Sequence, residues 1–122
     1  MKKIGSWWLA KIEAREDEEV KYSFLANRTQ SSNRAVGGKL FITNQRCLFT
    51  PHLIDYFTGG KKCEINLSQI SEVGVRPAGG DRLGGGLRER LKILHSNGED
   101  LFVVNKLAEV VKTINSVVGE NA

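Results

Sequence analysis

The chain has 122 residues, of which 40% are hydrophobic and 26% are charged, and its formal net charge at pH 7 is +4. This length fits one domain, which can bury roughly two thirds of its unfolded surface and fold without disulfides. The mild positive charge favours anionic surfaces, but it is far below the charge density of a DNA-binding arm, so we expect no nucleic-acid partner. The sequence contains no apolar run near the ~18 residues of a membrane span, and its basic start soon becomes charged, which argues against a secretory signal.

The two cysteines, Cys47 and Cys63, do not form a CxxC pair. Without a secretory signal, this pattern predicts free thiols in a reducing compartment, and therefore a cytoplasmic protein.

Residues 1–19 form an N-terminal segment, separate from a domain that we assign to residues 20–122. Ile4, Trp8 and Ile12 fall four residues apart, which predicts a short helix over residues 4–16 that ends in an acidic run. Because tryptophan is costly to leave in water, we expect this segment to pack on the body of the protein. Packing of Trp7 and Trp8 on a second copy, as a dimer contact, or on a membrane remains an alternative.

The next eighty residues show the alternation and turn chemistry of short antiparallel strands. Asn44-Gln45 and Asn97-Gly98 are two-residue turns between apolar runs, which is the pattern of β-hairpins. Residues 27–33, 52–60 and 76–88 are predicted to be loops, the last of them rich in glycine. The predicted strands cover residues 20–26, 37–43, 46–51, 62–67, 70–75, 90–94 and 100–104.

The last segment changes to a helical period. Apolar residues from Leu107 to Val118 recur at intervals of three and four, which predicts one amphipathic helix, with Asn105 able to cap its start and Gly119 able to end it. Seven antiparallel strands followed by such a helix predict a mainly β fold: a partly open barrel whose apolar end is capped by the C-terminal helix.

Several strings in this order resemble the GRAM domain, a branch of the pleckstrin-homology (PH) superfold. They are GGKLFITNQR (37–46), CLFTP (47–51), INLSQISEV (65–73), LKI (91–93), NGE (97–99) and FVV (102–104), and the similarity covers roughly residues 18–118. The resemblance implies a PH-like barrel, and members of this family commonly bind lipids or proteins at membranes.

The sequence offers no convincing reaction centre. His52 and His95 lie far apart without metal-ligand spacing, and the glycine-rich loop matches neither a P-loop nor a dinucleotide fingerprint. Cys47 and Cys63 fall in predicted strands, where buried inert thiols are common. We therefore expect a non-enzymatic protein with no catalytic residue, no metal and no cofactor.

The basic residues near predicted strand ends are a candidate site for a lipid head group. In a PH-like barrel, the loops that join strands one to two and three to four lie close together at the open end, so nearby charges should converge there. Arginine forks and lysine ammonium groups suit phosphate oxygens. The predicted head-group residues are Arg28, Arg34, Lys39, Arg46, Lys61 and Lys62. Solvated, scattered charges are the alternative interpretation.

Four large apolar residues lie between these charges in the loop after the third strand. Leu53, Ile54, Tyr56 and Phe57 could insert among lipids, with Tyr56 at the interface, or could instead cover the core of the barrel. The sequence thus predicts a PH-like adaptor that docks to anionic phospholipids, peripheral at a membrane. The alternative is a protein-interaction or self-associating module that uses a sheet edge or the Trp7–Trp8 segment.

Overall fold

One antiparallel sheet organises the chain in our computed structural model, which describes residues 3–4, 12–31, 34–51, 59, 61–78 and 88–120. Within this part of the chain the strands are β1 (Lys3–Ile4), β2 (Ile12–Glu13), β3 (Val20–Ser31), β4 (Arg34–Thr43), β5 (Arg46–Pro51), β6 (Cys63–Asn66), β7 (Ile70–Arg76), β8 (Arg90–His95) and β9 (Gly98–Val104). A 3-10 turn (Leu67–Gln69) joins β6 to β7, and helix α1 (Leu107–Glu120) follows β9.

The strand order makes a partly open barrel. The seven strands from β3 to β9 pair in the order β6-β5-β4-β3-β9-β8-β7 in the described part of the chain, and every pair is antiparallel. Strand β3 is central because it pairs with β4 along most of its length and with β9 over Ala26–Arg28. The mainly β, PH-like architecture predicted from the sequence is confirmed.

Helix α1 closes the core between the two halves of the sheet. Its buried residues Val110, Ile114 and Val117 belong to the same apolar cluster as Phe49 and Phe102, whose ring centroids lie 5.7 Å apart. Fully burying a residue of this size stabilises the fold by about 1.5–3 kcal/mol. The helical stripe was therefore predicted correctly.

The two predicted hairpin turns are confirmed as well. Strand β5 has the predicted bounds, and β4 pairs with it around Asn44-Gln45. In the β8–β9 hairpin His95 lies opposite Gly98, whose φ of 133° is a conformation that favours glycine.

Other boundaries differ from prediction. Residues 27–31, predicted as loop, continue β3, and β4 begins at Arg34 rather than at residue 37. Pairing with β4 and β9 supplies the hydrogen bonds that this polar stretch would otherwise seek in a loop. Helix α1 continues past Gly119 to Glu120, so the predicted left-handed ending is wrong.

The helix predicted over residues 4–16 is wrong where the structure describes those residues. Lys3 lies opposite Glu13 and Ile4 opposite Ile12 in a two-stranded antiparallel sheet. The four-residue spacing of the apolar residues was therefore not a helical face, because two of them meet across a strand pair. Trp7 and Trp8, and with them the predicted dimer contact, lie outside the described residues.

Candidate functional site: the open end of the barrel

Two loops meet at one end of the barrel, as the sequence predicted. Gln30, near the end of β3, donates a hydrogen bond from Nε2 to the carbonyl oxygen of Gly59 (3.1 Å) and accepts one at Oε1 from the backbone N–H of Lys61 (2.9 Å). One side chain thus holds the entrance to β6 beside the β3–β4 connection. We call this region, with the β8–β9 turn, the open end.

Three of the six predicted head-group residues lie at this end. Lys61 and Lys62 are exposed immediately before β6, and half-buried Arg34 begins β4 opposite Ser31. Because lysine carries a compact charge on a flexible stem, the two exposed lysines can reach an anion from several directions.

Arg28 also lies near this end, but a carboxylate already holds it. Asp100 Oδ1 accepts hydrogen bonds from Arg28 Nε (3.2 Å) and Nη2 (2.8 Å), and both side chains are largely buried. Such charge-assisted bonds are stronger than neutral ones, so Arg28 would have to leave Asp100, or share it, to bind a ligand.

The second oxygen of Asp100 joins two more strands to this cluster. Oδ2 lies 2.8 Å from His95 Nε2 and 3.7 Å from Cys63 Sγ. The backbone N–H of Asn97 donates to His95 Nδ1 at 3.3 Å, so the neutral ring must carry its proton on Nε2 and donate it to Asp100. Asp100 therefore connects β3, β6 and β8 at the open end.

The thiols of this structure are not activated. Burial raises the pKa of Cys63 to about 11, and the nearby Asp100 charge adds to this rise. Burial also raises the pKa of Cys47 to about 12. A thiol in this state is protonated at neutral pH and is a poor nucleophile. Among the residues that the structure describes, no group of three His, Cys, Asp or Glu side chains is placed to hold a metal ion.

Arg46 lies at the opposite end of the barrel and is buried. It begins β5 directly after the β4–β5 turn, whereas the open end is where β5 finishes. Its Nε and Nη2 donate to the two carboxylate oxygens of Glu18, each at 2.8 Å. The sequence placed Arg46 among the converging charges, but the start of β5 and the start of β6 are at different ends of the sheet. We leave Arg46 out of the site.

Glu18 has a strongly perturbed acidity in this ion pair. Burial alone would raise the pKa of its carboxyl, but the hydrogen bonds from Arg46, from the backbone N–H of Arg15 and from Thr43 together lower the pKa to about 2. The carboxylate is therefore ionised throughout the neutral range, and the pair acts as a structural lock.

Lys39 is also distant from the open end. Since β4 begins at Arg34, Lys39 lies halfway along the strand, with Nζ 5.7 Å from the ring centroid of Phe41. Five residues of strand correspond to roughly 16 Å. The sequence placed Lys39 at a strand start because it began that strand too late.

The proposed insertion residues Leu53, Ile54, Tyr56 and Phe57 fall outside the described residues. The flanking chain leaves β5 at Pro51, and Gly59 is bonded to Gln30. Their role stays a prediction.

Sequence reasoning missed the residues that organise the open end. Asp100 bonds Arg28, which is 72 positions away, and Gln30 bonds Lys61, which is 31 positions away. No local pattern marks either residue, because each acts through a partner on a distant strand. His95 was interpreted as a turn residue, and only its adjacency to the β8–β9 turn pointed to this region.

Comparison with known proteins finds similarity in structure alone. No model of a known protein family matches the chain, and no curated protein matches its sequence. Among the described residues, no helix has the length and apolar character needed to cross a membrane.

Three solved structures share the fold. The Vps36 N-terminal PH domain aligns with a TM-score of 0.62 at 12% identity, covering 88% of this chain and 83% of that one. The C-terminal domain of an unknown protein from Leishmania infantum gives a TM-score of 0.64 at 14% identity, with 84% and 86% covered. The hSac2 domain from human phosphoinositide phosphatase Sac2 gives 0.52 at 10%, with 86% and 70% covered. The chain therefore has a PH-like fold, which is typically that of a non-catalytic binding domain.

Proposed function

We propose that this chain is a non-enzymatic binding module that docks its open end onto anionic phospholipid head groups, at the cytoplasmic surface of a membrane. The observation that carries the proposal is the double hydrogen bond of Gln30 to Gly59 and Lys61, which keeps exposed lysines beside the β3–β4 connection. Lys61, Lys62 and Arg34 would contact the phosphates.

Charge arithmetic supports a surface of many phosphates rather than one deep pocket. Each lysine near an acidic leaflet contributes about 1 kcal/mol, and this attraction falls off within a Debye length. Two exposed lysines therefore give only weak binding. Contact by Leu53, Ile54, Tyr56 and Phe57 with the lipid would add apolar area.

Two finer assignments rest on less. The GRAM branch of the superfold is supported by the sequence strings 37–51 and 65–73. Phosphoinositides as the lipid class are supported by the shared fold with a domain of a phosphoinositide phosphatase. A PH-like fold alone fixes neither, because one fold hosts many functions.

Liposome co-sedimentation tests the proposal. Vesicles of phosphatidylcholine with 20–30% (about one lipid in four) phosphatidylserine should bind the protein, and vesicles of phosphatidylcholine alone should not. Raising the salt to about 1 M shortens the Debye length to ~3 Å and should release the protein. Replacing phosphatidylserine by a phosphoinositide at equal total charge shows whether the head group is recognised beyond its charge.

A charge-matched pair of variants places the contact. Lys61→Ala/Lys62→Ala should weaken vesicle binding roughly thirtyfold, the equivalent of about 2 kcal/mol. Lys21→Ala/Lys112→Ala removes two exposed lysines elsewhere and lowers the net charge equally. If both double variants lose the same affinity, or if binding ignores lipid charge, the open end is not the docking site.

A further inference from the structure

Strand β3 has an unpaired edge over its first half. Its partner β9 pairs with it only at Ala26, Asn27 and Arg28, although β3 begins at Val20. Over Val20–Leu25, β3 pairs with β4 on one side, and no described residue pairs with it on the other. Alternate backbone N–H and C=O groups of a strand point to each side, so this stretch presents hydrogen-bonding groups that a further strand could satisfy.

The two outer edges of the sheet are protected in ways that the β3 edge is not. Strand β6 has only four residues, and helix α1 packs beside β7, where Asn115 Nδ2 donates to the carbonyl oxygen of Val73 at 3.3 Å. Short length and cover by a helix are devices by which natural sheets avoid pairing with other chains. The first half of β3 is longer and carries exposed apolar side chains.

Exposed apolar residues concentrate at this edge. Val20, Tyr22 and Leu25 are 37%, 48% and 68% exposed, and they are three of the five exposed large apolar residues of the described chain. Leu25 is the most exposed of the set. Leucine on a strand is normally placed to bury its side chain, so its position here fits a surface that another chain covers.

A groove lies next to the same stretch of β3. It has a volume of about 280 Å³ and lies between Phe24 and Leu25 on β3 and Lys106, Glu109, Val110 and Thr113 of the first turns of α1. Pockets for small molecules are typically ~300–1,000 Å³, so this space suits a side chain better than a free ligand. A strand paired with the β3 edge would send alternate side chains towards it.

We infer that the β3 edge and this groove form a docking site for an extended segment of a partner protein, added as a further strand. The segment carries one large apolar residue for the groove and acidic residues beside it. Lysines outnumber carboxylates around the patch: the charged residues are Lys21, Lys39 and Lys106, against Glu19 and Glu109. Backbone pairing supplies affinity in this mode, while side-chain pockets and charges supply specificity. The site is independent of the open end and of lipid binding.

Selection from a library of random twelve-residue peptides displayed on phage, against the whole folded chain, tests this inference. We expect enriched peptides to alternate apolar residues with Asp or Glu. The strongest peptide, synthesised, should slow amide hydrogen exchange at residues 20–25. The same peptide with alternate backbone nitrogens methylated loses its donors and should no longer bind.

Two exposed leucines provide matched variants. Leu25→Lys should weaken binding of the selected peptide by at least roughly tenfold, since it removes the contact and adds a repelling charge. Leu94→Lys makes the same change at another exposed leucine, on β8, and should change affinity by less than about twofold. Both variants should unfold at the wild-type temperature, because neither side chain is buried.

Several results would overturn the inference. They are the absence of enriched peptides, equal binding to Leu25→Lys and wild type, and protection at β6 or β7 instead of residues 20–25. Protection of residues 20–25 that rises with protein concentration alone would assign the edge to a second copy. Protection of the same amides by acidic vesicles would assign it to a membrane.

Discussion

Two arginine–carboxylate pairs lie at opposite ends of the barrel, and they differ in burial and in the company of the carboxylate. Glu18 precedes β3 and gives both oxygens to Arg46, with side chains only 0% and 5% exposed. Asp100 lies at the open end, where one oxygen holds Arg28 and the other holds His95, with 11% and 19% exposure for Asp100 and Arg28. The same chemistry thus makes a closed lock at one end and a shared junction at the other.

The difference indicates which charges are available for binding. A buried bidentate pair gains little from solvent and is lost only at high cost, so Arg46 cannot serve a ligand. Arg28 shares its carboxylate with a histidine and lies closer to water. Function at the open end therefore depends on Lys61, Lys62 and Arg34 and on what Asp100 holds in place.

Breaking the Glu18–Arg46 lock should give the largest effect. Arg46→Met leaves a buried carboxylate without its counter-ion, so we expect the free energy of unfolding to fall by about 3–5 kcal/mol in urea denaturation. The double variant Glu18→Leu/Arg46→Met removes both charges and should recover a large part of the loss. A single variant as stable as wild type would show that water reaches this pair after all.

Acid should weaken the same lock by a smaller amount. The folded pKa of Glu18, about 2, lies below its ordinary value of 4.5, so its contribution is fully present above pH 4.5 and is lost as the pH falls towards 2. The linked free energy is about 3 kcal/mol. Urea midpoints measured between pH 2 and 6 should show this loss, and in Glu18→Gln the slope over that range should decrease. An unchanged slope would mean that other carboxylates dominate acid unfolding.

The sequence predicted the elements whose signals are local. The β4–β5 hairpin follows from two apolar runs around Asn44-Gln45, and α1 follows from a stripe that buries Val110, Ile114 and Val117. Helix and strand periods report which face of an element is apolar, and both elements bury one face against the common core.

The remaining features depend on partners that lie far away along the chain. Residues 27–31 are polar, and they form a strand because β4 and β9 flank it. The convergence of two loops at the open end was predictable from the resemblance to a PH-like barrel, but Asp100 and Gln30 were not, since their bonds join distant strands. The late start given to β4 also placed Lys39 at the wrong position along its strand.

Breaking the Asp100 junction should destabilise the fold less than breaking the lock. Asp100→Asn keeps the shape but removes the charge that Arg28 and His95 share, which we expect to lower the free energy of unfolding by about 1–3 kcal/mol. Glu99→Gln is the neighbouring control, because it weakens only the surface pair with Arg76 and should cost about 1 kcal/mol or less. Equal losses in the two variants would show that Asp100 behaves as a surface residue.

The smallest effect on stability, and the sharpest on function, belongs to Gln30. Its hydrogen bonds to Gly59 and Lys61 are exposed, so Gln30→Ala should change the free energy of unfolding by about 1 kcal/mol or less. Acidic-vesicle binding should nevertheless fall roughly threefold, because Lys61 is then no longer held in place and must be ordered on binding.

A second glutamine separates this effect from a general loss of order. Gln45 donates a comparable bond to the carbonyl oxygen of Glu16 at 2.8 Å, at the opposite end of the barrel. Gln45→Ala should leave vesicle binding unchanged. If the two variants bind vesicles equally well, the tether at the open end does not contribute to docking, and the contrast between the two ends concerns stability alone.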